Sequence, residues 1–342
     1  MVVSAGSCFA ANMVPFLESA GLRYLRTEQP HPAFCDLPEN LGYRNFSAAY
    51  GNIYTARQLR QLLDRALGRF QPLEDRWRVD DRVVDPFRPG LRFPARSDDE
   101  FDALTDQHLR AVREALISAT VFVFTLGLTE AWESVADGAV YPACPGTVSG
   151  TFDPRRHRFR NFTMAEVRDD LLAFLDVLRQ INPGVRLLLT VSPVPLVATA
   201  TSDHVLTATT YSKAVLRAAA GEVVSARDHV SYFPAYEIVT GPQAPEDYFE
   251  PDRRHVSEHG VAAVMRALLK HCGTRQLASR SPAAATQPDA SPTTRAEPAS
   301  PARHLSDAVA IADCDEALAD PAYGTLPPPP SVGTPTRESD EN

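Results

Sequence analysis

Met1-Val2-Val3-Ser4-Ala5-Gly6-Ser7-Cys8-Phe9-Ala10 is the stretch whose reading decides the fold. A short apolar run meets a glycine turn, and directly behind it Phe9, Met13, Phe16 and Leu17 recur at helical spacing. The pattern predicts strand, turn and helix, with Ser7 and Cys8 at the helix N-terminus. Two further runs, Val121-Phe122-Val123-Phe124 and Val185 to Val191, are continuously apolar instead of alternating. Such strands are the ones that helices cover on both faces. A fourth strand is expected over Val230 to Val239.

Helix signals fall between these runs. Thr55 opens a segment carrying Leu59, Leu63 and Leu67, and Ser97 precedes three acids, Asp98, Asp99 and Glu100, suited to a helix N-terminus. Thr163 and Glu166 are spaced as a capping box, a further helix is expected over Tyr211 to Val224, and Ser257 precedes the amphipathic series Val261, Val264, Met265, Leu268 and Leu269. Strands alternating with helices predict an α/β protein with three layers, α/β/α, around a mostly parallel central sheet. Residues 70–96 read as a small hairpin insert and 141–161 as an irregular excursion. Within that excursion the run Arg155 to Arg160 reads as a solvated turn, the alternative being a cradle for an anionic acyl carrier or sugar phosphate. Past about Arg275 the chain is rich in Ala, Ser, Thr and Pro, including Pro327 to Pro330. Such composition does not bury enough apolar surface to order itself, so the expectation is one domain over 1–273 and a disordered tail over 274–342.

Composition narrows the function classes. A net charge of −9 and a pI near 5.5 argue against nucleic-acid or anionic-membrane partners, whose phosphates repel such a surface. The five cysteines are scattered without a CxxC pair, as in a reduced intracellular protein. No apolar run has the length of a membrane helix and no secretory signal precedes Gly6, so the cytoplasm is the expected compartment. Only Met1 to Ala5 remain for the first strand, short enough to suggest a start inside a longer chain. Neither a Walker loop nor a GxGxxG follows a strand, and His31 and Cys35 have no ligand-spaced partners. The expectation is therefore no cofactor and no metal.

In open α/β sheets, sites gather at the C-terminal ends of the strands. Gly6 to Cys8, Gly127 to Glu130 and Ser192 to Pro195 all fall there, and Asp252-Arg253-Arg254-His255 lies in the loop before the last helix. A nucleophile at a helix N-terminus, answered by a histidine and an orienting aspartate, is the generalised triad. Cys8 is the favoured nucleophile, because a thiol at a helix N-terminus beside a histidine becomes a thiolate near neutral pH. Ser7 is the alternative. The bland reading is that Cys8 is a small buried hydrophobe and Asp252-x-x-His255 a surface turn. In the catalytic reading His255 is the base, and Asp252 fixes its tautomer.

Gly6-Ser7-Cys8-Phe9-Ala10 is the signature after which the GSCFA family is named, and Asp252, His255, Ser257 and Gly260 continue the same pattern. The chain resembles that family and, more broadly, the SGNH (GDSL-type) hydrolases. The resemblance implies a flavodoxin-like fold and an esterase or O-acyltransferase acting on a small-molecule or carbohydrate ester. Equating Gly6 with the glycine of the Gly-Asp-Ser turn places Cys8 on the nucleophile, and a shift by one residue places Ser7 there. Gly51-Asn52-Ile53-Tyr54 and Gly127-Leu128-Thr129-Glu130 resemble the family's glycine and asparagine blocks, which supply oxyanion donors. Here Thr129 stands where the hydrolases carry asparagine, so Asn52 or the Thr129 hydroxyl is the expected substitute. Gly51 and Gly127 as ordinary turn glycines are the alternative. Glu130 and Trp132 are expected to line the pocket or anchor its loop. A binding module that kept the fold without hydrolysis is the rival function, and the oligomeric state is left open.

Overall fold

The computed structural model describes residues 1–29, 43–89, 91 and 94–271. The tail from 274, His31 and Cys35 lie outside the described residues. β1 (Val2–Gly6) turns into α1 (Cys8–Ser19), followed by α2 (Ala56–Ala66), the hairpin β2 (Trp77–Val79) and β3 (Arg82–Val84), then α3 (Asp98–Ser118) and β4 (Val121–Leu126). After it come β5 (Glu130–Ser134), β6 (Val140–Tyr141), β7 (His157–Asn161), α4 (Met164–Ile181), β8 (Arg186–Val191) and α5 (Val205–Ala226). β9 (Val230–Tyr232), α6 (Ala235–Thr240) and α7 (Glu258–His271) complete the fold.

The central sheet has the order β1-β4-β8-β9 with every pair parallel. Alternate side chains divide between its two faces, as a pleated strand requires. Val3, Ala5, Phe122, Phe124, Leu126, Leu187, Leu189 and Val191 pack into one cluster with α2, α3, α4 and α5. Val2 and Leu188 point the other way, into a cluster built by α1, α6 and α7. This is the expected three-layer α/β/α arrangement. Sequence capping signals operate as read: Thr55 and Thr163 each form a capping box, with Gln58 and Glu166, and the Ser97 side chain accepts from the Glu100 amide. The insert over 70–96 is the β2–β3 hairpin.

Several expectations need correction. The strand expected to reach Val239 stops at Tyr232, because Pro234 offers no ladder donor and instead begins α6. Val239 is buried in the cluster of α1 and α7 as a helix residue. The helix expected from Tyr211 starts earlier, at Val205, where the His204 ring accepts from the Leu206 amide at 3.2 Å. The stretch called irregular contributes β6 and β7, which flank β5 in a three-stranded antiparallel sheet. Trp132 on β5 pairs with Tyr141 on one side and Phe159 on the other. Such short strands leave little periodicity to detect. The arginine run belongs to this sheet: Arg158 pairs with Glu133, Arg160 with Glu133 and Glu166, Arg156 with Glu74 and Arg155 with Asp153. Arg155 and Arg156 are the exposed turn expected, whereas His157 to Arg160 form an ion-paired strand.

Gly6 shows why the first turn takes no other residue. Its φ is +144°, and a Cβ there would sit 2.5 Å from the Thr125 carbonyl oxygen. Gly6→Ala is expected to lower stability by about 1–3 kcal/mol or more through backbone strain and collision. Urea denaturation measures it, and a variant as stable as the parent would contradict this reading.

A buried ionic cluster lies beside α2 and α3. His108 shares its Nδ1 with Glu28 Oε2 at 2.7 Å, and Arg88 Nε donates to Asp85 Oδ2 at 2.7 Å. Burial resists ionisation of Asp85, yet the charges of Arg88 and Arg65 hold its carboxyl below the usual value. Burial, aided by Arg88, pushes His108 below its ordinary 6.5 despite Glu28 and Asp85. Both shifts act in one direction. The unfolded chain binds more protons as pH falls below 6.5 for His108, and below the ordinary carboxylate range for Asp85, so stability is full at neutral pH and declines with acid. The denaturation midpoint is expected to drop between pH 7 and 5 and again toward pH 4. His108→Gln should flatten the upper part, and an unchanged profile would exclude this cause.

Candidate active site

The ends of β1 and β4 are sewn together by one segment, and the end of β8 joins β4 directly. The Ile53 amide donates to the Gly6 carbonyl at 2.8 Å, and the amides of Gly127 and Leu128 donate to the Tyr54 carbonyl at 2.9 and 3.2 Å. The Ser192 amide reaches the Leu126 carbonyl at 2.8 Å. Gly51 takes φ +65°, which favours glycine, and a Cβ on Gly127 would approach the Tyr54 backbone to 3.1 Å. The structure therefore gathers the Gly6 to Cys8 turn, Gly51 to Tyr54, Gly127 to Glu130 and the start of the Ser192 loop at the C-terminal end of the sheet.

Ser7 and Cys8 differ sharply in environment. Ser7 is the N-cap of α1 but makes no side-chain cap, is 3% exposed, and its hydroxyl meets no hydrogen-bond partner among the described residues. Cys8 is the first residue of α1, half-buried, with its thiol outside any disulfide. At that position the positive end of the helix dipole favours a thiolate.

Asp252 and His255 are brought together. The loop carrying them is closed by the Phe249 and Val256 bridge, and the Glu250 amide donates to the His255 carbonyl at 2.8 Å. Asp252 Oδ2 bonds the His255 Nδ1, while Oδ1 accepts from the amides of Arg254 and His255 at 2.9 and 3.0 Å. Burial opposes the Asp252 charge, but the His255 ring and these amides outweigh it and draw the pKa down to about 2. An ionised carboxylate on Nδ1 leaves Nε2 as the nitrogen for proton transfer. α7 packs against α1 through Phe9, Met13, Leu17, Val261, Val264, Met265 and Leu268. Phe9, next to Cys8, and Val256, next to His255, belong to that same cluster. Gly260 permits the approach behind it, since a Cβ there would meet the Tyr248 carbonyl oxygen at 2.6 Å.

Sequence reasoning missed a second pair on the first turn of α7, where His259 Nδ1 lies 2.9 Å from Asp247 Oδ2. It is more exposed than the Asp252–His255 pair, and the Tyr248 ring meets its imidazole edge-on.

The donors expected from the asparagine block are already used. Gly127 gives its amide to Tyr54, and the buried Thr129 gives its amide to Ser212 Oγ at 3.0 Å and its hydroxyl to Asn161 Oδ1 at 2.7 Å. Thr129 is thus a structural link between β5, β7 and α5. Asn52 donates from Nδ2 to the Tyr54 hydroxyl at 3.1 Å. Burial raises the Glu130 pKa, while its oxygens accept from the Thr199 hydroxyl at 2.6 Å and the Ala200 amide at 3.2 Å. Glu130 anchors the loop after β8, one of its two expected roles, and Trp132 packs against Phe152 and Phe159.

Lys213 was also missed. It is 2% exposed on α5, and its Nζ donates to the Gly127 carbonyl at 2.6 Å. Ser212 and Lys213 together clamp the turn after β4. A signal was present: Ser212 falls on the buried side of α5 with Ala208, Val215, Leu216 and Ala219, and polar residues on a buried face need partners. Among the described residues no group of three or more His, Cys, Asp or Glu side chains is placed to hold a metal ion. None of their helices is long and apolar enough to cross a membrane.

No curated protein matches this chain. Among solved structures, it is similar to a carbohydrate esterase family 2 enzyme with a carbohydrate binding domain from Corynascus thermopiles (Myceliophthora fergusii), at 13% identity and a TM-score of 0.32. That similarity covers 80% of this chain and spans 66% of the other. The GSCFA family model matches residues 1–268, from the first strand to near the end of α7, and so takes in both the signature turn and the Asp252–His255 loop. The chain belongs to the GSCFA family.

Proposed function

We propose that this protein is an esterase or O-acyltransferase working through a thiol. His255 takes the proton of the Cys8 thiol, the thiolate attacks the ester carbonyl to form a carbon–sulfur bond, and the carbon–oxygen bond breaks as the departing alcohol takes that proton from His255. Water or a sugar hydroxyl then gives its proton to His255, attacks the thioester and releases the acid or the new ester with the thiol restored. Asp252 holds the imidazole in register and stabilises its charged form. The tetrahedral oxyanion is assigned to the Cys8 amide at the start of α1 and to Gly51 and Asn52, which the Ile53–Gly6 bond keeps beside the turn. The observation that carries the proposal is the Asp252–His255 bond at the mouth of the helix that packs on α1. A small-molecule or carbohydrate ester is the substrate class, as the family resemblance implies.

The commitment of Gly127 and Thr129 to internal bonds supports a second reading, a binding module with the same fold. Turnover of short-chain p-nitrophenyl esters and O-acetylated saccharides separates the two. Catalysis that depends on Cys8 supports the first. Saccharide binding without turnover of any ester would replace it with the second.

A further inference from the structure

Beside the ionic cluster is a cavity of about 30 Å³, walled on one side by the α2 face that carries Gln61 and Arg65 and on another by Asn52 and Phe87. Most of its polar walls are satisfied. Gln61 donates to the Gly138 carbonyl at 2.7 Å and accepts from the Val140 amide at 2.9 Å. Arg88 is held by Asp85 and Glu28, and His108 by Glu28. Arg65 is the exception. Its guanidinium lies over the Phe87 ring, 4.0 Å from the centroid, and the residue is only 7% exposed. Among the described residues it donates no hydrogen bond.

The nearby Asp85 carboxylate offsets part of the Arg65 charge, but the fork itself makes no hydrogen bond among the described residues, and the occupant that best matches it offers two acceptor oxygens in one plane. Room and charge restrict that occupant. A single water needs about 10–15 Å³ on this measure, so the cavity has space for a group of carboxylate size and not for a sugar ring. Arg65 and Arg88 face Asp85 and Glu28, so no net positive charge is left to hold a dianion, and a monoanion would be held by the local Arg65 fork. We propose that this cavity is a binding pocket for a small carboxylate, held by the Arg65 fork above Phe87. Asn52 forms part of the wall and its neighbour Ile53 is bonded to Gly6. An acidic group on the ester substrate is therefore the natural occupant, a step that rests on the acyl-transfer reading, whereas the pocket itself does not.

The test titrates sodium acetate into the full chain by calorimetry at constant ionic strength set with sodium chloride, with acetamide in parallel. Acetate is expected to bind saturably and acetamide not at all. Arg65→Lys, which keeps the charge and loses the fork, should weaken acetate roughly tenfold, the scale of one charge-assisted hydrogen bond, and Arg65→Met should abolish it. Equal binding of acetate and acetamide, no saturable binding, or undiminished binding in Arg65→Met would overturn the proposal. Should Arg65→Met fail to fold, the acetate and acetamide contrast with Arg65→Lys decides. Acetate binding in a protein that turns over no ester keeps the pocket and discards the esterase reading, and the reverse outcome does the opposite.

Discussion

Cys8→Ala is expected to lower kcat/KM for ester cleavage by about 10⁴-fold or more, the loss seen when the attacking atom of a triad is removed. Ser7→Ala should stay within about tenfold of the parent, because deleting a buried hydroxyl that has no partner removes an unsatisfied group and no contact. Exposure separates these neighbours as well: Ser7 is sealed behind the turn while Cys8 is half-buried. Steady-state kinetics on both variants, with circular dichroism to confirm the fold, give the comparison. Full activity in Cys8→Ala with loss in Ser7→Ala would move the nucleophile by one residue.

His255→Ala should cost about as much, and Asp252→Asn on the order of 10⁴-fold, since the amide presents the wrong partner to Nδ1. Asp252 is drawn down to about 2, so its charge persists across the working pH range. Its titration should therefore leave no limb in the kcat profile above about pH 3. His259→Ala is the internal control. It breaks the neighbouring histidine–aspartate contact, at the start of α7, and is expected to leave kcat near the parent value. A loss in His259→Ala equal to that in His255→Ala would show that the base had been assigned to the wrong pair.

The layers of the fold were legible because their strands are continuously apolar and their helices carry caps. Val121 to Phe124 needed no alternation to be read as doubly covered, and the Thr163 and Glu166 box opens α4 where expected. The small sheet was hidden because β6 has two residues and β7 is charged along much of its length, so neither period two nor hydrophobicity marks them. Pro234 carried the correction to the fourth strand, but an apolar run on both sides of it concealed the break. At the candidate site, the sequence points to Gly6, Cys8, Asp252 and His255 because each residue type has a narrow chemical use in its position, and the structure joins Asp252 to His255. Lys213 and Ser212 were hidden for the opposite reason. Their partners are the Gly127 carbonyl and the Thr129 amide, and backbone atoms leave no trace in a residue pattern. The Gly127 amide is hidden in the same way, by the Tyr54 carbonyl, while Thr129 looks available until the fold brings Ser212 and Asn161 to it.

Iodoacetamide labelling of Cys8, followed by mass spectrometry across pH in the parent and in His255→Ala, most directly tests whether the helix terminus and the imidazole act on one sulfur. The account predicts an alkylation pKa well below the free-thiol value of about 8.5 in the parent and a rise toward that value in the variant. A parent Cys8 that alkylates with a pKa at or above about 8.5, unchanged on removal of the imidazole, would contradict it.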